Sequence, residues 1–345
     1  MRIAQASGLT TASCLAALIG GAACVPARPP ETASLRFVPR HLFSGPYESA
    51  THGDLNRDGR VDLVSGPYWF AGPGFVPRAY RPVHGSRDYQ HANSEHVHDV
   101  DRDGWPDIIA GGWNEDGIYW YRNPGAGAAE RGEPWRQHDL WEGRLLSRTR
   151  GAMEMFALKD FDGDGRPELF SASYRREAPL EVWRWSTHGD GTPALTPFVL
   201  GLEGGGHGFA FGDVNGDGRE DVLMEVGWYE RPAGDPFAGP WRLHAETALP
   251  HPSCPFVVTD LTRDGRLDIV FGRGHDVGLY WWEQQAPGVD GRTRWRPHVI
   301  DESWSQAHAL ALADLDGDGV DEVSAGKGLG AHEADDPGAA DPPAI

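Results

Sequence analysis

Cysteine is scarce in this sequence, with 3 in 345 residues. Cleavage of the N-terminal leader described below leaves at most Cys24 and Cys254. If Cys24 is acylated no disulfide can form, and metal must then do the stapling. Long apolar runs are missing as well. The apolar stretch through Leu15-Ala-Ala-Leu18-Ile19 to Ala23 is too short to be a comfortable membrane span. No amphipathic helical pattern appears. Basic charge is in deficit, 31 Lys and Arg against 51 Asp and Glu for a formal charge of -20, and no basic stripe exists for nucleic acid.

What the chain has instead is one acidic sentence written six times. In Asp213-Val-Asn215-Gly-Asp217-Gly218-Arg-Glu-Asp221, oxygen-bearing side chains fall at the first, third, fifth and ninth places, with a glycine after the fifth. The other copies are Asp54/Asn56/Asp58/Asp62, Asp99/Asp101/Asp103/Asp107, Asp160/Asp162/Asp164/Glu168, Asp260/Thr262/Asp264/Asp268 and Asp314/Asp316/Asp318/Glu322. Three oxygens at alternate places converge only from a tight loop, and the glycine permits the bend that folds it over an ion. Calcium takes six to eight oxygens in irregular geometry, so these loops are expected to bind calcium through all four places, except at Thr262 of the fifth copy. The closing carboxylate comes too early for an EF-hand, which places its Glu twelfth. A short apolar strand comes after each loop, as in Asp107-Ile-Ile-Ala110 or Asp268-Ile-Val-Phe271, so the loops join strand to strand. The ligand positions hold 21 of the 51 acidic residues, which explains much of the negative charge.

The first residues read as a processed leader. Met1-Arg2 and the apolar run lead to Gly21-Ala-Ala-Cys24, which resembles a bacterial lipoprotein processing site, with ordinary cleavage after Ala27 as the rival. Residues 1–24 are thus expected to be a signal peptide and 25–34 a tether. The protein is expected to be exported, periplasmic or at the cell surface, with membrane contact only through a lipid on Cys24. Calcium is abundant enough there to fill such loops.

Around each loop one grammar recurs. An apolar strand precedes it and a second comes after. A third is aromatic, as in Ile118-Tyr-Trp-Tyr121, Val182-Trp-Arg-Trp185 and Leu279-Tyr-Trp-Trp282. A fourth carries Trp-x-x-His, as in Trp135 to His138, Trp241 to His244 and Trp295 to His298. Four short strands per unit, with loops 45 to 61 residues apart, predict an all-β propeller of four-stranded blades over 35–345. The count is six, or seven if the long gap between the second and third loops hides a degenerate blade. Leu35 to Phe43 looks like an orphan fourth strand that joins the last blade and closes the ring.

The Phe-x-x-x-Asp-x-x-x-Asp-Gly-x-x-Asp units resemble FG-GAP/VCBS repeats, the propeller units of integrin α-chains. That resemblance implies calcium in the loops between first and second strands, on one face. Gly206-His207-Gly-Phe-Ala-Phe-Gly-Asp-Val-Asn215 and Ser305-Gln-Ala-His308-Ala-Leu310 are similar to bacterial relatives of the aldos-2-ulose dehydratase propeller, an enzyme that eliminates water from keto-sugars. Its cupin domains have no counterpart here.

A second constellation belongs on the opposite face. Six residues before each loop stand Glu48, Asn93, Glu154, His207, Cys254 and His308, a column expected to ring the mouth of the central channel. The loops between second and third strands add Tyr68 and Trp69, Trp113 and Asn114, Tyr174 and Arg175, Trp228, His275 and Asp276, then Lys327 and His332. His207, His308, Glu154 and His332 are the candidate catalytic groups. Trp113, Trp228, His275 and Lys327 are the candidate substrate contacts. Imidazoles with a carboxylate suit a second divalent metal such as zinc, with a position open for a substrate whose carbonyl it polarises. The expected activity is elimination from a carbohydrate. The alternative is a non-catalytic propeller that binds glycan or protein. His138, His244 and His298 recur at one strand position and are expected to be structural, as are His96 and His98 beside a calcium loop. Cys254 is expected to be a packed thiol.

Overall fold

The computed structural model describes residues 38, 40–45, 47, 49–82, 94–113, 116–125, 127, 140–150, 153–175, 177–204, 206–327 and 336–342. The chain divides into Met1–Val38 and Pro39–Ile345, and all the sheets belong to the second unit. The leader, the tether, Glu48, Asn93, Asn114, Trp135, His138 and His332 lie outside the described residues. Among the described residues no helix is long and apolar enough to cross a membrane.

The sheets are antiparallel meanders in chain order, as expected of propeller blades. The first blade is β1 (Thr51–Gly53), β2 (Asp62–Ser65), β3 (Tyr68–Ala71) and β4 (Val76–Ala79). The second is β5 (Ser94–His98), β6 (Asp107–Gly111), β7 (Gly117–Arg122) and β8 (Glu142–Arg148). The third is β9 (Met153–Lys159), β10 (Glu168–Ser173), β11 (Leu180–Thr187) and β12 (Pro193–Gly201). The fourth is β13 (Phe209–Gly212), β14 (Asp221–Met224), β15 (Gly227–Glu230) and β16 (Arg242–His244). The fifth is β17 (Val257–Thr259), β18 (Asp268–Gly272), β19 (Val277–Gln285) and β20 (Arg294–Ser305). A sixth sheet holds β21 (Ala309–Ala313) and β22 (Glu322–Gly326) alone. The described architecture is thus five four-stranded blades and one two-stranded sheet. The expected closing strand has no counterpart among the described residues: 40–45 are irregular, and the Phe43 ring lies 5.1 Å from Tyr68 and 6.1 Å from Phe70 of the first blade.

Burial follows strand position. β6, β10, β14 and β18 are buried at every residue, which is why β6, β14 and β18 read as apolar runs after their first carboxylate rather than as alternating ones. Apolar clusters fill the spaces between successive blades. Leu55, Val64, Trp69, Tyr80, Ile108 and Trp141 fill the first interface, and Phe161, Phe170, Phe209, Val222 and Tyr229 fill the third. A polar staple repeats between blades as well. Asn123 Nδ2 donates to the Leu55 carbonyl at 2.9 Å, an Arg166 guanidinium nitrogen to Val100 at 3.0 Å, one of Arg231 to Phe161 at 2.5 Å, and Gln284 Nε2 to Val214 at 2.9 Å. In each case the acceptor is the second residue of the preceding blade's acidic loop. The loops therefore register the blades as well as turning the chain.

The Trp-x-x-His strands behave as structural elements. His244 lies directly across from Trp228, rings 4.0 Å apart, and its Nε2 is 2.8 Å from Glu230. His298 repeats this on Trp281 at 4.2 Å, with Nε2 2.8 Å from Glu283.

Candidate functional site: three imidazoles and a carboxylate

The strands separate two ends of the molecule. His207 precedes β13 and Asp213 follows it, and His308 and Asp314 bracket β21 in the same way. The acidic loops therefore lie at one end of these strands and the imidazoles at the other.

At the loop end the six copies share one conformation. The first carboxylate accepts the amide of the loop glycine: Gly59 to Asp54 and Gly104 to Asp99 at 2.9 Å, Gly165 to Asp160 at 2.9 Å, Gly218 to Asp213 at 2.7 Å, Gly265 to Asp260 at 2.8 Å and Gly319 to Asp314 at 3.0 Å. These glycines have φ between +81° and +87°. A Cβ on Gly165 or Gly218 would meet nothing within 4 Å, so backbone conformation rather than crowding requires the glycine. The ninth carboxylate does more than close the loop. Asp107 accepts Val100 N at 3.0 Å with one oxygen and Asn123 N at 2.7 Å with the other, bolting the loop to the end of the third strand. Asp62, Asp221 and Asp268 do the same. Burial pushes Asp107 and Glu168 up to about 7 and Asp221 up to about 6. A cation in the loop would hold these carboxylates ionised.

The first, third and ninth carboxylates converge within 4.8 Å in the loops of Asp99/Asp101/Asp107, Asp160/Asp162/Glu168 and Asp314/Asp316/Glu322. The other three loops carry Asn56, Asn215 or Thr262 at the third place. Asp103, Asp164 and Asp318 stand outside the three converging groups. Each fifth-place carboxylate also caps a turn within the loop. One oxygen of each fifth-place carboxylate accepts the amide two residues on: Arg60 N to Asp58 at 2.9 Å, Trp105 N to Asp103 at 2.9 Å, Arg166 N to Asp164 at 2.7 Å, Arg219 N to Asp217 at 3.0 Å, Arg266 N to Asp264 at 3.0 Å and Val320 N to Asp318 at 2.8 Å. The second oxygen is engaged in several copies. Asp58 accepts from Asn56 Nδ2 at 3.1 Å, and Asp217 and Asp264 pair with the guanidinium groups of Arg219 and Arg266. In the second loop Arg122 contacts Asp101 at 2.6 Å and Asp103 at 2.8 Å, supplying positive charge there.

At the other end His207, His275 and His308 converge, each offering a ring nitrogen within 4.8 Å of the others. His207 Nε2 lies 3.1 Å from His308 Nε2 and 3.4 Å from Glu154 Oε1. His207 is 1% exposed, Glu154 is buried, and His275 and His308 are half-buried. The tautomer of His207 is fixed by its far side. Its Nδ1 lies 2.5 Å from the Pro252 carbonyl, which can only accept, so Nδ1 carries a proton and Nε2 is the acceptor nitrogen of the neutral ring. The backbone holds the cluster from several strands. His207 N donates to Glu225, His308 N to Gly326 O and Cys254 N to His308 O. Gly274 leaves the space for convergence, since a Cβ there would stand 2.8 Å from His207 Cε1 and 3.1 Å from His308 Cδ2.

Of the residues singled out by sequence, the structure brings together His207, His308, Glu154 and His275. Lys327 is buried at the end of β22 with its ammonium donating to Gly338 O at 2.7 Å. Trp113 meets Tyr174 edge-on at 4.9 Å, a pair of rings from neighbouring blades in the loops after β6 and β10. Trp228 is placed differently from expectation. The hairpin between β14 and β15 is two residues long, so Trp228 lies within β15, 3% exposed under His244. Tyr68 and Trp69 likewise fall within β3, and Trp69 is fully buried. Sequence reasoning missed Asp336, whose carboxylate accepts from His275 Nδ1 at 2.9 Å. It also missed the Pro252 carbonyl, which no side-chain pattern can reveal.

The FG-GAP-like repeat family model matches residues 160–224 and 260–324, two stretches that each span two of the acidic loops. The chain carries FG-GAP-like repeats. No curated protein matches it. Among solved structures, the chain is similar to the Vibrio cholerae biofilm matrix protein Bap1, at 17% identity and a TM-score of 0.45 over 76% of this chain and 40% of that one. It is also similar to the rhamnogalacturonan lyase YesW, at 14% identity and a TM-score of 0.42 over 81% of this chain and 55% of that one.

Proposed function

We propose that this chain is an exported, calcium-stapled propeller of six blades whose His207, His275 and His308 hold a divalent transition ion such as zinc, with Glu154 beside them as the base, and eliminate water from a carbohydrate. One observation carries the reading. With Nδ1 of His207 protonated, its acceptor Nε2 faces another imidazole nitrogen at 3.1 Å and a carboxylate oxygen at 3.4 Å, an arrangement that asks for a positive charge among them. The residues fit the ion. Three imidazole nitrogens are a zinc-type donor set rather than a calcium-type one. Two nitrogens on one tetrahedral zinc lie roughly 3.3 Å apart, near the observed separation.

Such an ion, when bound, supplies Lewis acidity toward a sugar carbonyl. The chain's own groups divide the rest. Half-buried His275 and His308 border the side from which a ligand enters, while buried His207 and Glu154 form the floor. Glu154 is the carboxylate placed to take the proton from the carbon beside the carbonyl. The C–H electron pair becomes the C=C bond, the neighbouring C–O bond breaks, and the departing hydroxide with the abstracted proton makes one water. The Trp113 and Tyr174 rings offer apolar faces to a sugar. The similarity of the His207 and His308 segments to relatives of aldos-2-ulose dehydratase supports a keto-sugar substrate. The leader-like sequence of residues 1–24 supports export, on a Cys24 lipid or as a freely cleaved protein.

The test is an assay of keto-sugars and uronates for the new ultraviolet absorbance of a conjugated C=C. Turnover is expected in the native protein, with a fall of about 10²–10⁴ in Glu154→Gln. Absence of turnover with every candidate, together with ligand binding untouched by His207→Ala and His308→Ala, contradicts the reading. The second reading is a non-catalytic glycan- or protein-binding propeller, favoured by Tyr174, which is 44% exposed beside Trp113. It expects Trp113→Ala and Tyr174→Ala to weaken binding more than the histidine substitutions do.

A further inference from the structure

We infer that Asp336 is the positioning residue of the imidazole site, and that the segment Asp336–Asp341 is a working part of that site. The inference rests on the reading of that site as a metal centre. Asp336 Oδ2 lies 2.9 Å from His275 Nδ1. An ionised carboxylate has only acceptors, so the contact places the ring proton on Nδ1 and leaves Nε2 as the nitrogen able to bind a cation. His207 reaches the same state through the Pro252 carbonyl. Two of the three rings thus have their tautomer set from behind, one by a backbone carbonyl and one by a carboxylate.

The two devices differ in how they are supported. Pro252 belongs to the framework, bridged to Arg273 as an antiparallel partner beside the fifth blade. Asp336 comes from a segment that follows β22 in the chain and is fixed at separate points. Lys327 donates to the Gly338 carbonyl at 2.7 Å. Ala339 N and Asp341 N close successive turns onto Asp336 O and Gly338 O at 3.1 and 3.0 Å. Gly338, at φ +69°, packs so closely on Ser305 that a Cβ would collide with its hydroxyl. Lys327 directly follows Gly326, whose carbonyl holds the His308 amide. One short stretch of chain therefore orients His275 with its carboxylate and is clamped by the neighbour of the residue that seats His308. Without the carboxylate, His275 can rotate or exchange tautomers, and the third nitrogen is no longer presented to the other two.

The experiment is a cobalt(II) titration of the full chain in calcium, read by visible absorption, on native protein, Asp336→Ala and Asp336→Asn. Asp336→Ala is expected to weaken cobalt affinity by about 10- to 100-fold and to alter the band shape as one imidazole is lost from the ion. Asp336→Asn keeps an oxygen that can accept the same proton and is expected to fall between the two. Melting in calcium should be the same for all three, which separates loss of orientation from loss of fold. Native binding with both variants within twofold of it overturns this assignment and leaves the metal site standing. A native protein that shows no cobalt band overturns both.

Discussion

The two ends of the blades are built by opposite rules. Each acidic loop is a local object: its first carboxylate accepts amides of its own loop, as Asp213 does from Asp217 and Gly218. Any copy can form as soon as its two strands pair. The imidazole site is the reverse. Glu154 comes from the third blade, His207 from the fourth, His275 from the fifth, His308 from the two-stranded sheet and Asp336 from beyond it. Nothing within any one blade specifies it. The comparison teaches a direction of dependence. The loops set blade register through the staples to Leu55, Val100, Phe161 and Val214, and the site exists only where register is right. Damage to the loops should reach the site, while damage to the site should stop there.

The largest expected effect tests that direction. Stripping calcium by chelation should lower the melting temperature by at least about 5 °C, since one site held at 100 times its dissociation constant contributes about 2.7 kcal/mol. Cobalt binding at the imidazoles should vanish with it, and both should return on adding calcium. Retention of cobalt binding by calcium-free protein would break the dependence. Next is His308→Ala, which should cost cobalt affinity on the order of 100-fold while leaving calcium-dependent melting in place. Gly274→Ala sharpens the same point without removing a ligand. Its methyl meets His207 and His308, so stability should fall by about 1–3 kcal/mol and cobalt affinity with it.

Smaller effects probe the register itself. Asn123→Ala removes donors to Leu55 O and Pro106 O and should cost about 1 kcal/mol in urea unfolding. Smallest is a pH term at the inner edge of the second blade. Burial holds His96 down at about 4, against about 6.5 for an unfolded chain. The unfolded chain therefore takes up a proton first as pH falls. His96 stability is complete above about 6.5 and is lost progressively toward about 4, with roughly 0.8 kcal/mol gone at pH 6. His96→Gln should flatten that part of the stability profile.

Legibility in the sequence divides along the same line. The loops, the strand order and the blade repeat are all periodic, so every copy reinforces the others. Within a loop, spacing shows which residues carry oxygen but not where each oxygen points, and so it does not show that Asp107 ties its loop to Asn123 N at the end of β7. His207, His308 and Glu154 are reachable because the repeat fixes a register and the register fixes a column. His275 is visible as a loop residue but not as a partner of those two, because its contact depends on how far the fifth blade's loop folds over. Trp228 is misread since repeat spacing does not reveal that its hairpin is only two residues long. Asp336 leaves no trace, lying after the last repeat where no pattern constrains it.

The most direct test of the account is the metal content of the purified protein after dialysis against calcium and zinc together, measured by mass spectrometry on native chain and His275→Ala/His308→Ala. The account predicts several calcium ions in both proteins and one zinc that is present in the native chain and missing from the variant. Zinc absent from the native protein, or zinc retained in full by the variant, would contradict it.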